Sequence, residues 1–174
     1  DRTVIREFAT LNVATEPERS TVVGDDCLLM ATCHVAHNCR LGNHVILANA
    51  VNLAGHVTID DYAIIGGMTP VHQFVRIGCH AMVGGGSRIP QDVTPYTIAA
   101  GNPPVLAGIN KIGLARRGFS PETIEAIKET YRIMFRSGLT VEAALARARA
   151  EIDPSPEVTR FLDFFEGSER GITR

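Results

Sequence analysis

Residues 23–58 of the chain read VGDDCL-LMATCH-VAHNCR-LGNHVI-LANAVN-LAGHVT, six blocks that each begin with an aliphatic residue. The same six-residue period continues as far as Ile89. A fixed short period is typical of solenoid proteins, because each repeat buries its apolar residues against the repeats on either side. The fifth residue of every block is a cysteine or a valine, which suits a narrow interior. The pattern therefore predicts a parallel β-helix built from hexapeptide repeats.

The period is interrupted once and then ends, which divides the chain into two predicted domains. Residues 1–103 are predicted to form the β-helix, with a loop projecting at residues 14–21, where Pro17 takes the place of the aliphatic residue. In residues 104–174 the apolar residues recur with the period of a helix. Capping residues predict helix starts at Ser120, Thr140 and Ser155. This helical domain would close the end of the β-helix, which otherwise exposes an open edge.

The bulk composition argues against several classes of protein. The 174 residues carry a formal net charge of −2, which does not suit a general nucleic-acid binder. There is no apolar run of membrane-spanning length and no signal peptide, so a cytoplasmic location is expected. The chain does not begin with Met, and the period extends back to Leu11 and Ile5. Further N-terminal coils are therefore expected to precede residue 1.

The four cysteines are predicted to be core residues rather than metal ligands. Cys27, Cys33 and Cys39 are six residues apart, so in a three-sided helix they approach the interior from three successive faces. Cys79 is remote from them, and no pair has the spacing of a zinc finger. Small buried thiols in a reducing compartment explain the pattern.

The same period sorts the six histidines. Three hexads make one coil of a three-sided helix, so the hexads that begin at residues 35, 53 and 71 share one face, with coils about 4.8 Å apart. Four histidines are predicted to lie along one edge of that face, with His34 at the corner that leads into it. They are His34, His37, His56 and His72. His44 and His80 fall on a different face and are expected to be ordinary surface residues.

Spacing alone leaves three interpretations of this edge open. A neutral imidazole there can act as a general base toward a hydroxyl or amine that attacks an acyl group, and Asn38 could orient His37. Alternatively, imidazoles from neighbouring coils can converge on zinc. The third interpretation is a solvated face with scattered polar residues. No nearby Asp or Glu is evident as a carboxylate ligand, which weighs slightly against a metal.

Four longer motifs make a resemblance specific. They are LLMATCHVAHNC at residues 28–39, LAGHV at 53–57, IIGGMTPVHQF at 64–74 and RRGFS at 116–120. These motifs resemble the acyl-ACP–UDP-N-acetylglucosamine O-acyltransferase family, over nearly the whole chain from about residue 4. The resemblance implies a left-handed parallel β-helix that works as a homotrimer with active sites between subunits. It implies transfer of an (R)-3-hydroxyacyl chain from acyl carrier protein to the 3-hydroxyl of UDP-N-acetylglucosamine, the first step of lipid A biosynthesis. No cofactor or metal is expected.

The resemblance also implies roles for individual residues. His37 matches the general base, and the backbone N–H of Gly55 matches the oxyanion donor. Gly85 matches the position that measures acyl length, where a glycine leaves the groove open for a long chain. The residues that match substrate-binding positions are His34, Asn38, His56, His72 and Gln73 near the base, and Asn110, Arg116 and Arg117 on the nucleotide sugar.

Two departures and one charged patch complete the comparison with the family pattern. Asn38 stands where the family commonly has Asp, and Asn12 where it often has His. An Asn can accept a hydrogen bond from the imidazole but cannot stabilise the imidazolium by charge. Basic residues of the helical domain are expected to steer the acidic carrier protein, or else to form i,i+3 pairs on a solvated helix. They are Lys111, Arg116, Arg117, Lys128, Arg132 and Arg136.

Three other functions compete with the O-acyltransferase. A related hexapeptide sugar N-acyltransferase has the same requirements for a base. A γ-type carbonic anhydrase is a metal enzyme with the same kind of helix. A non-catalytic scaffold would use the fold without the chemistry.

Overall fold

The computed structural model describes residues 1–174 and shows the predicted parallel β-helix followed by a helical region, which has four helices. Thirteen two-residue strands form the coils, and a hairpin of two longer strands follows them. The coil strands are β1 (Val4–Ile5), β2 (Thr10–Leu11), β3 (Val22–Val23), β4 (Leu28–Leu29), β5 (His34–Val35), β6 (Arg40–Leu41), β7 (Ile46–Leu47), β8 (Asn52–Leu53), β9 (Thr58–Ile59), β10 (Ile64–Ile65), β11 (Pro70–Val71), β12 (Arg76–Ile77) and β13 (Met82–Val83).

Three parallel sheets make the three faces of the helix. Their strand orders are β1-β4-β7-β10-β13, β2-β5-β8-β11 and β3-β6-β9-β12. In the second sheet Val35 pairs with Leu53, and Leu53 pairs with Val71. The 18-residue register that the hexads predict is therefore confirmed, and it brings residues 18 apart in sequence into adjacent coils.

The interior is filled by the aliphatic residue of each hexad and the small residue that follows the turn. Leu47, Leu53 and Ile65 have no exposed surface. All four cysteines are free and buried, as predicted for core residues. The thiols of Cys27, Cys33 and Cys39 point at backbone carbonyls of the next coil; Cys39 Sγ, for example, lies 3.1 Å from the oxygen of Ala54.

One connection in the first coil is longer than the others. Ten residues (12–21) join β2 to β3, whereas four (30–33) join β4 to β5. Because of this insertion His34 pairs with Thr10, 24 residues earlier, instead of with a residue 18 earlier. The insertion, which we call the long loop, leaves the coil and packs against the turn that follows β5.

After the coils the chain forms an antiparallel hairpin that the hexad pattern did not indicate. Its strands are β14 (Thr97–Gly101) and β15 (Pro104–Ile109), and β14 continues the first sheet beside β13. The turn contains a cis Asn102–Pro103 bond, so the predicted domain division at residue 103 lies inside this hairpin.

Four helices follow: α1 (Lys111–Arg116), α2 (Pro121–Arg136), α3 (Val141–Glu151) and α4 (Pro156–Asp163). The side chains of Ser120, Thr140 and Ser155 cap α2, α3 and α4 by accepting a backbone N–H of the first turn, as predicted. The short helix α1 was not predicted. None of the four helices has the length and apolar character that crossing a membrane requires.

The helices cover the last coils of the β-helix. Phe161 of α4 stacks on Tyr96 with ring centroids 6.4 Å apart, and Arg76 of β12 lies 4.3 Å from the ring centroid of Phe164. The chain then returns to the last coil, where the Thr173 N–H donates to the Asp92 carbonyl. This packing places the helices beside the turns that follow the third sheet, so residues of the helical region cover part of those turns.

Candidate active site

Turns that follow the second sheet stack in register and form one candidate site. We call residues 36–38, 54–56 and 72–74 the histidine corner. The last residue of each triplet has a positive φ, +62° at Asn38, +62° at His56 and +65° at Phe74. The rings of His56 and Phe74 stack with centroids 4.7 Å apart, and His37 meets His56 edge to face at 5.2 Å. The predicted meeting of His37 and His56 on one edge is confirmed.

Gly55 makes room for the ring of His37. A Cβ at Gly55 would lie 2.6 Å from His37 Cε1 and 2.7 Å from Nε2, closer than real Cβ contacts come. Any larger residue at this position would therefore displace the imidazole. The Gly55 N–H donates no hydrogen bond within the chain. A free backbone donor thus lies next to the Nε2 edge of the ring, as an oxyanion site requires.

Asn38 fixes which nitrogen of His37 carries the proton. The Asn38 Oδ1 accepts from the Thr15 N–H at 3.2 Å, and its Nδ2 donates to Glu16 Oε2 at 2.7 Å. A backbone N–H can only donate and a carboxylate only accept, so the orientation of the amide is set. The Nδ1 of His37, 2.8 Å from Oδ1, must then be the donor. Nε2 keeps its lone pair and is free to accept a proton.

Glu16 is a site residue that sequence reasoning missed. The long loop brings the carboxylate of Glu16 against Asn38, one contact away from His37, and the sequence pattern did not indicate this contact. The hydrogen bond from Asn38, followed by that from Thr15, lowers the pKa of Glu16, so this carboxylate is ionised near neutral pH. The signals available were the projecting loop and the unusual Asn38, but the hexad period does not relate one to the other.

The remaining histidines of the predicted edge occupy two environments. His72 belongs to the histidine corner, where its Nδ1 lies 3.2 Å from the carbonyl oxygen of Gln73. His34 lies within β5 rather than at a corner, which corrects the prediction, and its Nδ1 shares a hydrogen bond of 2.7 Å with the Thr10 hydroxyl. His34 therefore faces outward from the sheet beside the corner. Gln73 is exposed.

Turns that follow the third sheet form a second stack, which we call the aromatic corner (residues 42–44, 60–62 and 78–80). Tyr62 stacks between His44 and His80, at centroid distances of 4.4 Å and 4.8 Å. His80 also meets Phe119 edge to face at 4.9 Å. The expectation of an ordinary surface residue was wrong for His80, because the chain segment after α1 covers it. Its Nδ1 is buried without a partner, and burial lowers its pKa to about 4.

The residues predicted to contact the nucleotide sugar lie at the aromatic corner, away from His37. Asn110 caps α1, and its Nδ2 donates to the His80 carbonyl at 3.0 Å. The guanidinium of Arg117 lies 4.4 Å from the ring centroid of Tyr62, and Arg116 is exposed at the end of α1. Within one chain, therefore, the structure does not bring these three residues to the histidine corner.

Gly85 lies at the third corner, in the turn after β13. A Cβ there would be 3.3 Å from the carbonyl oxygen of Gly67, and the residue is exposed. The absence of a side chain leaves this surface open, but no atom of the histidine corner surrounds it within the chain. Across residues 1–174, no three His, Cys, Asp or Glu side chains are close enough to hold a metal ion together.

The basic residues of the helical region divide into paired and unpaired groups. Lys128 pairs with Glu125 at 2.8 Å and Arg132 with Glu129 at 2.9 Å, so the interpretation as i,i+3 pairs is confirmed for these two. Arg136 donates to the Tyr131 hydroxyl at 3.0 Å. Lys111 and Arg116 have no ion-pair partner. Of the six basic residues, the three without an ion pair or a side-chain hydrogen bond are Lys111, Arg116 and Arg117, which lie on or directly after α1.

Comparison with known proteins identifies the family to which the sequence is similar. A sequence model described as UDP N-acetylglucosamine O-acyltransferase, domain 2, matches residues 92–173, and the hexapeptide repeat model of bacterial transferases matches residues 20–55. An acyl-[acyl-carrier-protein]–UDP-N-acetylglucosamine O-acyltransferase from Burkholderia mallei is 48% identical over 100% of this chain and 68% of its own length.

Two solved structures show the same fold. The UDP-N-acetylglucosamine O-acyltransferase from Moraxella catarrhalis superimposes with a TM-score of 0.94 at 41% identity, covering 100% of this chain and 68% of that one. The UDP-N-acetylglucosamine acyltransferase from Francisella novicida gives 0.92 at 38% identity, covering 100% and 64%. The chain thus spans about two thirds of the length of these relatives.

Proposed function

The chain belongs to the acyl-ACP–UDP-N-acetylglucosamine O-acyltransferase family, and from that premise we propose that it acylates the sugar of UDP-N-acetylglucosamine. The donor is an (R)-3-hydroxyacyl thioester of acyl carrier protein and the acceptor is the glucosamine 3-hydroxyl, the first step of lipid A biosynthesis. The single observation that carries the proposal is the state of His37. Its Nδ1 proton is held by Asn38, and Nε2 is left as a base beside the free N–H of Gly55.

In the proposed mechanism Nε2 of His37 takes the proton of the sugar hydroxyl as its oxygen attacks the thioester carbonyl. The carbonyl oxygen gains a negative charge, which the Gly55 N–H stabilises as a hydrogen-bond donor. The intermediate then collapses, the carbon–sulfur bond breaks, and the imidazolium returns the proton to the departing thiolate. The products are the O-acyl sugar nucleotide and the free thiol of the carrier protein.

The other polar groups beside the base are proposed to position substrate. His56 packs at right angles to the His37 ring and stacks its face on Phe74, which holds it in one orientation. His72, Gln73 and His34 present polar atoms around the same corner. Histidine and glutamine side chains offer both donors and acceptors, which suits the hydroxyl groups of a sugar.

The nucleotide end is proposed to be bound by a second copy of the chain. Asn110, Arg116 and Arg117 lie at the aromatic corner, so one chain cannot place both His37 and these residues on a single substrate. In a homotrimer the aromatic corner of one subunit can face the histidine corner of its neighbour. The guanidinium groups suit phosphate oxygens. Asn110 already uses its side-chain amide to cap α1, so its role toward substrate is chiefly to shape that helix end.

Two further proposals concern the acyl donor. The open surface at Gly85 supports acceptance of a long acyl chain, since a larger side chain would narrow the space there. The unpaired charges of Lys111 and Arg116 support electrostatic steering of the acidic carrier protein toward α1. A cytoplasmic location, where this donor is found, agrees with the four free thiols.

The test is a transfer assay with UDP-N-acetylglucosamine and 3-hydroxyacyl carrier proteins of several chain lengths. His37→Ala should lower kcat about 10³-fold, because general-base catalysis contributes on this order. Arg147→Ala, on the exposed surface of α3 and paired only with Glu151, is the control and should retain activity. Acylation of a 3-amino sugar instead of the 3-hydroxyl would favour the N-acyltransferase, and activity that depends on stoichiometric zinc would favour a metal enzyme. Full activity in His37→Ala would remove the base from the mechanism.

A further inference from the structure

We propose that Glu16 is a positioning residue for His37, and that it supplies through the Asn38 amide the negative charge that residue 38 itself lacks. The inference rests on the proposed function, because it concerns the same base. It assigns a role to the long loop, and it gives a physical reason for the asparagine at position 38.

The long loop holds Asn38 at each of its polar groups. The Asn38 backbone N–H donates to the Thr21 hydroxyl at 2.9 Å, and Oδ1 accepts from the hydroxyl of Thr15 at 3.1 Å as well as from its N–H. Nδ2 donates to Glu16 Oε2 at 2.7 Å, the short distance of a charge-assisted hydrogen bond. Asn38 is only 8% exposed, whereas Thr15 and Glu16 of the long loop are exposed, so these contacts join a buried amide to a carboxylate at the surface.

The two hydrogen bonds that link His37 to Asn38 and Asn38 to Glu16 run in the direction that favours a general base. Glu16 draws the amide hydrogens toward itself, which makes Oδ1 a stronger acceptor for the Nδ1–H of His37. When Nε2 takes a proton during the reaction, the imidazolium is stabilised by Oδ1 and, one residue further, by the carboxylate charge. A neutral amide thereby acts as the link between an acidic loop and the base.

Asn38 and Glu16 are also matched to each other. An aspartate at position 38 would place its carboxylate against Glu16 at hydrogen-bond distance, and the two negative charges would repel. With asparagine, the same contact is favourable. The effects of the two substitutions on activity are therefore expected to be non-additive. Asn38→Asp should lower activity when Glu16 is present and raise it when Glu16 has been replaced by Gln.

Few other charged groups face this chain of contacts. Arg19 of the long loop acts on Glu16 through space, Glu18 and Arg40 line one cavity with Asn38, and His56 from the next coil packs against the His37 ring. Glu18 lies two residues beyond Glu16 in the same loop and makes no hydrogen bond or ion pair, so it offers a matched control. Replacing Glu16 by Gln retains the shape of the side chain and removes only its charge.

The experiment compares Glu16→Gln, Glu18→Gln, Asn38→Asp and the Glu16→Gln/Asn38→Asp double variant in the transfer assay. We expect Glu16→Gln to lower kcat about three- to tenfold with little change in KM, because the charge acts on the protonated base. The acid limb of its kcat/KM profile should move about half a pH unit lower, since loss of a negative charge disfavours the imidazolium. Asn38→Asp should lose activity, and the double variant should regain most of it.

Titration of the assigned His37 ring resonances by NMR separates this inference from the proposed function. If the unaltered protein transfers no acyl group, the proposed function fails, but the His37 titration should still move to lower pH in Glu16→Gln and not in Glu18→Gln. Equal titration curves and equal kcat in those two variants would overturn the role of Glu16. A double variant no more active than Asn38→Asp would overturn it as well.

Discussion

The histidine corner and the aromatic corner are built from the same turn, yet they use histidine in opposite ways. Both stack residues 18 apart in sequence, and in both the stacked residues have positive φ, near +62° at His56 and +56° at His80. At the histidine corner His37 has its Nδ1 bound and its Nε2 open. At the aromatic corner His80 is enclosed by rings, with a buried Nδ1 that has no partner.

The difference shows that a position in the repeat determines placement but not chemistry. The two histidines differ in their place in the turn, since His37 is the second residue of its triplet and His80 the third, and in the parts of the chain outside the repeat that surround them. The long loop brings Thr15 and Glu16 against Asn38. Asn38 in turn orients the His37 ring through the hydrogen bond to its Nδ1. The segment after α1 brings Phe119 and Arg117 to the other corner, which makes that corner a packed surface.

Apart from removal of the base itself, the largest effect is expected from closing the space beside it. Gly55→Ala should lower kcat at least about 100-fold, because its Cβ would overlap the His37 ring and a displacement of about 1 Å is costly in a catalytic group. The assay above measures it. Thermal unfolding of Gly55→Ala, with and without His37→Ala, provides the control.

If the overlap is the cause, the melting temperature lost in Gly55→Ala should be regained when His37 is also alanine. An active Gly55→Ala, or a double variant no more stable than the single one, would show that the corner tolerates a side chain there.

A subunit-mixing experiment tests whether the two corners cooperate across an interface. His37→Ala and Arg116→Ala/Arg117→Ala subunits, each nearly inactive alone, are unfolded together and refolded. If every site takes its base from one subunit and its guanidinium groups from the next, about one quarter of the sites in random trimers are intact. Activity should therefore recover to about that fraction. No recovery would place both sets of residues in the same subunit's site, and a monomer in sedimentation would exclude the trimer.

The smallest effect concerns stability in acid. The unfolded chain protonates His80 below about pH 6.5, but the folded protein resists this until about pH 4. Stability is therefore unaffected above pH 6.5 and is lost as the pH falls toward 4, by about 1–2 kcal/mol after allowance for partial exposure. In urea unfolding at several pH values, the free energy of unfolding of His80→Phe should decrease less between pH 6.5 and pH 4. Phe74 shows that a phenylalanine can adopt the same positive φ.

His72→Phe is the control for that measurement, because its ring is only partly buried and its one hydrogen-bond partner is the uncharged Gln73 carbonyl. In this control the free energy of unfolding should depend on pH as it does in the unaltered protein. An unchanged slope in His80→Phe would mean that other groups cause the loss of stability in acid.

Most of the fold could be predicted because the six-residue period corresponds directly to the three-sided coil, in which residues 18 apart are neighbours. Leu53 and Val71 are 18 residues apart, and three hexads per coil places them side by side whatever the side chains around them. Three helix starts could be predicted from capping residues for the same reason, since a cap is a local interaction. The hairpin of β14 and β15 could not, because it begins where the period has ended.

The candidate site was predicted less completely. His37, Gly55 and His56 could be placed at one corner by counting, and the structure brings them together. Glu16 could not, because its contact with Asn38 is made by a loop without a period, 22 residues earlier in the chain. The burial of His80 could not either, because it depends on how a helix end packs.

The sequence by itself determined the coil, the faces and the residues at each corner, because these follow from hydrogen bonds between neighbouring turns of one repeat. Only the tertiary structure decided which histidine is a base and which is a packed ring. That difference depends on side chains of the long loop and of the segment after α1. Because these segments have no period, their positions in the sequence do not predict which corner they contact.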